Sequence, residues 1–228
     1  MKVCAVTCTG GRPELFELCK RWVMRQTLPV DYWIVATDNG EKIENLPQFA
    51  RHIHVDRVMG PGPNTDFVPN HTLRNALLMV PDHHCAVVFE DDDWYAPDHV
   101  HRCVEHLGNG HEVVYGATWV RYHLPTRCWN TKMRKAPGEG RVCIRSDAVR
   151  KYAASLVNRP LYEGPTDGRY PGFSTVGIKG VGYGLPGRPG ASDMHKGLKS
   201  VNHDPDYAKF RSWLGPDAEA YISLVQPT

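Results

Sequence analysis

The 228-residue sequence has no apolar run approaching the ~20 residues of a membrane span, no internal repeat and no low-complexity tract. It therefore does not read as a membrane helix, a solenoid or a disordered tail. No charge sign dominates: 27 Lys+Arg against 25 Asp+Glu leave +2, which excludes a polyanionic buffer or a uniformly basic nucleic-acid coat. CxxC, HExxH, GxxxxGK[ST] and GxSxG are missing, and with them the usual signs of zinc, P-loop and serine-hydrolase chemistry. The seven cysteines are odd in number and sit mostly in apolar runs, so several read as small buried hydrophobes, not a disulfide framework. That usage implies a reducing compartment. The first segment, MKVCAVTCTGGRPE, is too brief for a signal peptide and reads as a strand, so the expectation is a soluble, cytoplasmic protein.

What is present suits an α/β fold. Hydrophobic residues make up 41% and aromatics 10%, enough for one domain over 1–228 that buries roughly 70% of its unfolded surface. Lys2–Cys8 reads as a buried strand, followed by Thr9-Gly10-Gly11 and a helix opening at Pro13. Leu15, Phe16, Cys19, Trp22 and Val23 form its apolar stripe. Strands are expected at Asp31–Ala36, Arg51–Val55 and Cys85–Phe89, and helices at Thr72–Val80 and from Pro97 to about Leu107. Four strand–helix alternations in the first ~108 residues predict βαβ units and a mostly parallel central sheet flanked by helices. In the second half, 109–228, strands are expected over Glu112–Tyr122 and Arg141–Ile144 and a helix over Asp147–Val157. Residues 158–200 are Gly/Pro-rich and read as one long irregular functional segment.

CAVVF at Cys85–Phe89 runs into Glu90-Asp91-Asp92-Asp93. Consecutive carboxylates at the carboxyl end of a buried strand repel one another, and ligands of open α/β sheets bind at that edge. A hard divalent cation relieves the repulsion while it holds phosphate oxygens. The structural alternative is a solvated acidic turn capping the next helix.

With these residues in view, TLRNALLMVPDHHCAVVFEDDDWYAPDHV (Thr72–Val100) resembles the central segment of family 2 glycosyltransferases of the GT-A fold. CTGGRPELFELCKRWVMRQTLP resembles that family's first strand end, turn and helix, and DYWIVATDNG its second strand, so the resemblance covers residues 1–105. It implies a GT-A-type nucleotide-diphospho-sugar transferase fold, with a nucleotide-sugar-binding half at 1–108 and an acceptor-binding half at 109–228. The implied activity is inverting, metal-dependent hexosyl transfer from a nucleotide-diphosphate sugar, a UDP-sugar favoured, with Mn²⁺ or Mg²⁺. Asp91 and Asp93 correspond to the acids of the DXD motif: Asp93 as direct metal ligand, Asp91 as ribose or sugar contact and second ligand, with Asp92 beside the donor. Thr9, Arg12, Asp38 and Arg74 are the further donor-binding positions. The family's Asp-Asp-Gly-Ser is Thr37-Asp38-Asn39-Gly40 here, which leaves the base of the nucleotide open.

The resemblance also implies a catalytic carboxylate after the acid run. Asp167 and Glu163 in LYEGPTDGRYPG are the candidates, followed by Asp193, and Asp167 also reads as an ordinary turn residue. His195 follows the Gly/Pro-rich loop in the order expected of a metal-binding histidine. His99, Cys103 and His106 share a helical face, which reads as a surface helix with Cys103 inward in preference to a zinc site. Gly182–Gly187 formally matches GxGxxG, but no strand is expected before it and Pro186 and Pro189 obstruct a helix. A loop closing over the donor is the preferred alternative.

Trp119–Lys151 holds nine basic residues, among them Arg121, Lys132 and Arg134, against Glu139 and Asp147; its +7 leaves −5 for the rest of the chain. Trp119, Tyr122 and Trp129 are interleaved. A solvated basic face is the default. The functional reading makes Arg121, Trp129, Lys132 and Arg134 acceptor-binding, with nucleic acid, including a hydroxymethylated DNA base, as a candidate acceptor. The rivals are a catalytically silent nucleotide- or polyanion-binding module and a sugar nucleotidyltransferase, though Gly10-Gly11-Arg12 lacks the nearby Lys of the latter.

Overall fold

The computed structural model describes residues 1–56, 69–116, 118–133, 142–156, 168–171, 173–180 and 202–225, with only the backbone at 69, 70, 119, 132 and 133. Its first half runs β1 (Lys2–Thr9), α1 (Pro13–Met24), β2 (Tyr32–Thr37), β3 (Ala50–His54), α2 (Pro69–Leu78), β4 (His84–Val88), β5 (Trp94–Tyr95) and α3 (His99–Gly108). The second half adds β6 (Val113–Gly116), β7 (Thr118–His123), β8 (Cys128–Met133), β9 (Val142–Ile144) and α4 (Val149–Ser155). It closes with β10 (Gly168–Tyr170), β11 (Thr175–Lys179), β12 (Asn202–His203), α5 (Ala208–Leu214) and α6 (Ala218–Ile222).

The apolar runs of the first half become the centre of a seven-stranded sheet, ordered β10-β6-β9-β4-β1-β2-β3. It is parallel throughout except for β9, which is antiparallel to β4 and to β6. Alternation along each strand sends side chains to two cores. Val3, Ala5, Trp33, Val35 and Val87 meet the stripes of α1 and α3, while Cys4, Val6, Ile34, Ala36 and Val88 meet α2 and α4. The fold class is accordingly α/β, with a mostly parallel sheet between helices.

The second half departs from expectation in three ways. The strand expected over Glu112–Tyr122 is two strands, β6 in the large sheet and β7 in a second sheet ordered β12-β8-β7-β11-β5. The run of apolar residues does not signal that change of sheet, because β6 and β7 both bury apolar side chains, Val113–Tyr115 in one and Val120 and Tyr122 in the other. The segment expected to be irregular over 158–200 contains β10 and β11, which find partners in β6 and β7 more than 50 residues earlier. One ground for rejecting a dinucleotide-binding loop at Gly182 therefore falls, since β11 precedes it; Pro186 and Pro189 stay as the other ground but lie outside the described residues.

Cys103 and Cys143 are joined as a disulfide between α3 and β9, against the expectation of separate buried thiols. Each sits in an apolar run, so its environment in sequence gives no sign of the partner. The other five cysteines are free, and burial pushes the thiols of Cys4 and Cys19 up and that of Cys85 to about 12, which makes them inert hydrophobes.

Candidate active site

The turn after β1 is shaped by close approach. Gly11 has φ +68, and a Cβ on Gly10 would lie 3.0 Å from Asn39 Cγ. The Gly11 N–H donates to Glu41 at 2.6 Å, so the β1–α1 turn rests against the loop after β2. Asp38, at that second strand end, accepts a hydrogen bond at 3.3 Å from Thr72 Oγ1 in α2. The expected donor-binding position Arg74 lies two residues on in the same helix, and its buried Nε has no hydrogen-bond partner among the described residues.

The acid run sits where the two sheets meet. Asp91 is 1% exposed; Thr9 Oγ1 donates to its Oδ2 at 2.7 Å and Arg12 pairs with its Oδ1. Burial pushes the Asp91 carboxyl above its usual range, with Asp92 adding repulsion, while Arg12 and the Thr9 hydroxyl pull it down. Three of the expected donor residues are thus brought together, as a buried cluster.

Asp92 and Asp93 are served by a different element. β11 pairs antiparallel with β5, Val176 opposite Trp94, so its later residues run back along the acid run. The Ile178 N–H donates to Asp93 Oδ1 at 3.2 Å, and Lys179 Nζ lies 3.1 Å from Asp92 Oδ2 and 3.6 Å from Asp93 Oδ1. Sequence reasoning missed Lys179 because only the β11–β5 pairing brings it to the site. Carboxylate oxygens of Glu90, Asp92 and Asp93 lie within 4.8 Å of one another. Oxygen donors at that spacing fit a hard divalent cation. The trio adds Glu90 and Asp92 to the expected Asp93, while Asp91 is engaged by Thr9 and Arg12.

A rigid aromatic floor supports the run. The Glu90 N–H donates to Tyr95 Oη at 2.6 Å, and Phe89, Tyr95 and His99 pack with centroids 4.6–5.5 Å apart. His99 is fully buried, with Nδ1 2.7 Å from Ser174 Oγ, so the expected surface face of α3 holds only in part. Its Nε2 lies 3.9 Å from Cys103 Sγ, and the group close in space is His99, Cys103 and Cys143, without His106; with the two cysteines bonded to each other it offers no thiolate to a metal.

Behind this floor, the C-terminal helices lock the site to α1. Asp217 accepts from Trp94 Nε1 at 2.9 Å and from Arg25, and Trp22 Nε1 donates to Tyr221 Oη at 2.8 Å. No periodicity in the sequence announced these contacts, because α5 and α6 are short and their partners lie about 200 residues away.

Asp167, Glu163, Asp193, His195 and Arg134 lie outside the described residues, as does the side chain of Lys132. Arg121 is on β7, and Trp129 on β8 packs edge-on against Trp213 at 5.0 Å with Lys209 Nζ 5.7 Å from its ring. The basic stretch is not one open face. Arg145 pairs with Asp147 and Glu112, Lys151 with Glu112 and Arg150 with Asp82, all on the side of the large sheet. Tyr122, read as part of an aromatic stacking surface, is buried against Phe210 at 4.4 Å. Strand alternation decides this: β7 points alternate side chains into the core.

No helix among the described residues is long and apolar enough to cross a membrane. No protein-family model and no curated protein matches the chain. Solved structures similar to it include S. aureus TarS, at 11% identity and TM-score 0.48 over 78% of this chain and 37% of that one. A TarS 1–349 structure in complex with UDP-GlcNAc is similar at 11% identity and TM-score 0.45, over 80% of this chain and 60% of that one. A 4-diphosphocytidyl-2C-methyl-D-erythritol synthase is similar at 15% identity and TM-score 0.43, over 72% and 90%. The chain thus spans less than two thirds of the TarS chains, and likenesses at this level bear on neither substrate nor mechanism.

Proposed function

We propose that the protein is a metal-dependent, inverting glycosyltransferase that moves a sugar from a nucleotide-diphosphate donor to an acceptor hydroxyl. The observation that carries this is the convergence of the Glu90, Asp92 and Asp93 carboxylates at the carboxyl edge of β4, beside the cluster of Thr9, Arg12 and Asp91. A bound Mn²⁺ or Mg²⁺ would offset the charge that grows on the departing diphosphate. Asp92 and Asp93, with Glu90, would hold it; His195 is retained as a further candidate ligand, and Asp91 as the anchor that keeps Arg12 turned toward the donor.

Arg74, whose buried Nε has no hydrogen-bond partner among the described residues, supports an anionic ligand beside the middle of α2. Asp38 at the end of β2 is assigned to the nucleoside. Asp167, or Glu163, would take the proton from the acceptor hydroxyl as it attacks the anomeric carbon on the face opposite the diphosphate. Arg121 and Trp129, with Lys132 and Arg134, are assigned to an anionic acceptor, nucleic acid being the one to test first. The five free thiols favour a cytoplasmic setting, while the Cys103–Cys143 bond counts against the reducing compartment read from the sequence.

The test incubates the protein with Mn²⁺ and a panel of sugar nucleotides, UDP-sugars first, with and without hydroxymethylated DNA, and measures nucleotide release and sugar incorporation. Release with one donor that disappears in EDTA is the expected result. Release with no donor, alongside intact nucleotide binding, would leave the catalytically silent module as the better reading. Formation of a sugar nucleotide from a nucleoside triphosphate and a sugar phosphate would establish the nucleotidyltransferase instead.

A further inference from the structure

Among the described residues, two cations flank the acid run from opposite sheets. Arg12 pairs with Asp91 and reaches Asp92 only at 3.6 Å through its other terminal nitrogen, whereas Lys179 lies directly on the trio suited to a divalent ion, 3.1 Å from Asp92 and 3.6 Å from Asp93, with 17% of its side chain exposed. Its backbone is fixed there by the neighbouring residue, since the Ile178 N–H donates to Asp93 Oδ1. A divalent ion must approach these oxygens to roughly 2.0–2.6 Å. An ammonium on the same oxygens is then a like charge a few ångströms away, repelled strongly in so enclosed a setting. Lysine is suited to exchange partners: it is a compact charge on a flexible stem with three rotatable donors.

We infer that Lys179 is a diphosphate-binding residue of the donor site, held on Asp92 and Asp93 until a divalent cation takes those carboxylates and releases its ammonium to the donor's phosphate oxygens. This rests on the function proposed above and adds a residue and an order of events to it. Before metal arrives, Lys179 neutralises the run and keeps the carboxylates in place. Afterwards, its charge is transferred to the group that becomes the leaving diphosphate, without any movement of the strand.

Three measurements test the exchange. In Lys179→Met, Mn²⁺ affinity without nucleotide should rise about tenfold, because a competing cation is gone, and UDP affinity at saturating Mn²⁺ should fall about tenfold, the scale of one charge-assisted hydrogen bond. Lys179→Arg should keep most of the UDP affinity. On the unaltered protein, reductive methylation read by mass spectrometry should label Lys179 several-fold faster with Mn²⁺ than in EDTA, and UDP should then protect it. An unchanged or weaker Mn²⁺ affinity in Lys179→Met, unchanged UDP affinity, or Mn²⁺-independent labelling would each overturn the inference while leaving the proposed activity standing. A natural-sequence protein that binds neither Mn²⁺ nor UDP would overturn both. The labelling experiment needs no variant, so a substitution that fails to fold does not rescue the idea.

Discussion

The two sheets place the same acid run in two different chemical settings. From the seven-stranded sheet, Thr9 and Arg12 take up Asp91 through a hydroxyl and a guanidinium and leave it 1% exposed, with the second guanidinium nitrogen 3.6 Å from Asp92. From the five-stranded sheet, Ile178 and Lys179 take up Asp93 and Asp92 through a backbone N–H and an ammonium. The first arrangement follows from β1 lying beside β4 in parallel register, which carries Thr9 to Asp91 across 82 residues. The second depends on β11 returning 85 residues later to pair with β5. A planar guanidinium with fixed donor directions suits a carboxylate meant to stay put, whereas a flexible ammonium suits carboxylates meant to change partners. The difference separates the part of the site that builds the fold from the part offered to a ligand.

That contrast can be broken at several points. The largest effect is expected at the ligand side: Asp93→Ala should lower metal-dependent nucleotide release about 10²–10³-fold, the scale of losing one essential electrostatic group. If release persists within about threefold, the five-stranded side of the run is not the metal side. Across the molecule, the Cys103–Cys143 bond closes a 40-residue separation and should contribute about 4 kcal/mol, read as the shift in urea unfolding on reduction. Thiol titration of the denatured protein should give five groups before reduction and seven after; seven before would refute the bond.

Arg12→Met should cost about 3 kcal/mol in chemical denaturation, because Asp91 would be left buried without its counter-charge, with hydrogen bonds from the Thr9 hydroxyl and the backbone alone to offset it. A cost below about 1 kcal/mol would mean that Asp91 is not the structural half of the run. The matching probe of the second sheet is Asp204, which accepts from Tyr122 Oη at 2.9 Å and from the Lys209 and Phe210 N–H groups at 3.0 and 2.9 Å. Asp204→Ala should cost about 2 kcal/mol by leaving these donors buried, and should loosen α5 ahead of the large sheet in hydrogen exchange.

The smallest effect is expected at Asp147, whose carboxyl is held below its usual range by a hydrogen bond from Arg145. A depressed carboxyl pKa gives stability that is present above the unfolded value and lost as pH falls through the folded one. Asp147→Asn should therefore cost under about 0.5 kcal/mol at neutral pH, screened as the pair is, and nothing in strong acid. A larger loss would show that the basic stretch is organised by its acids more tightly than exposed pairs allow.

How far the sequence could be read differs between the same two regions. β1, α1, β2 and β4 lie within a residue or two of where periodicity and turn signals put them, since continuous apolar runs and a stripe at helical spacing are local properties. β10, β11 and β12 are two to five residues long and carry no such pattern; they exist because distant strands supply their hydrogen bonds. The Gly/Pro richness around them suggested irregularity, and that was misleading for Gly168–Tyr170 and Thr175–Lys179. The pairing of Cys103 with Cys143 was equally invisible, because a cysteine among apolar neighbours looks the same free or bonded.

From its residue order alone, this chain dictated an α/β sheet and a run of carboxylates at the end of a buried strand, because alternation, apolar runs and turn residues act over a few positions. Folding alone decided which of those carboxylates is walled in and which converge, that Lys179 stands on them, and that Arg145, Arg150 and Lys151 of the basic stretch are paired with acids. These are outcomes of strand order and register between segments far apart in the chain, where each contact depends on the closure of a long loop, not on its neighbours in sequence.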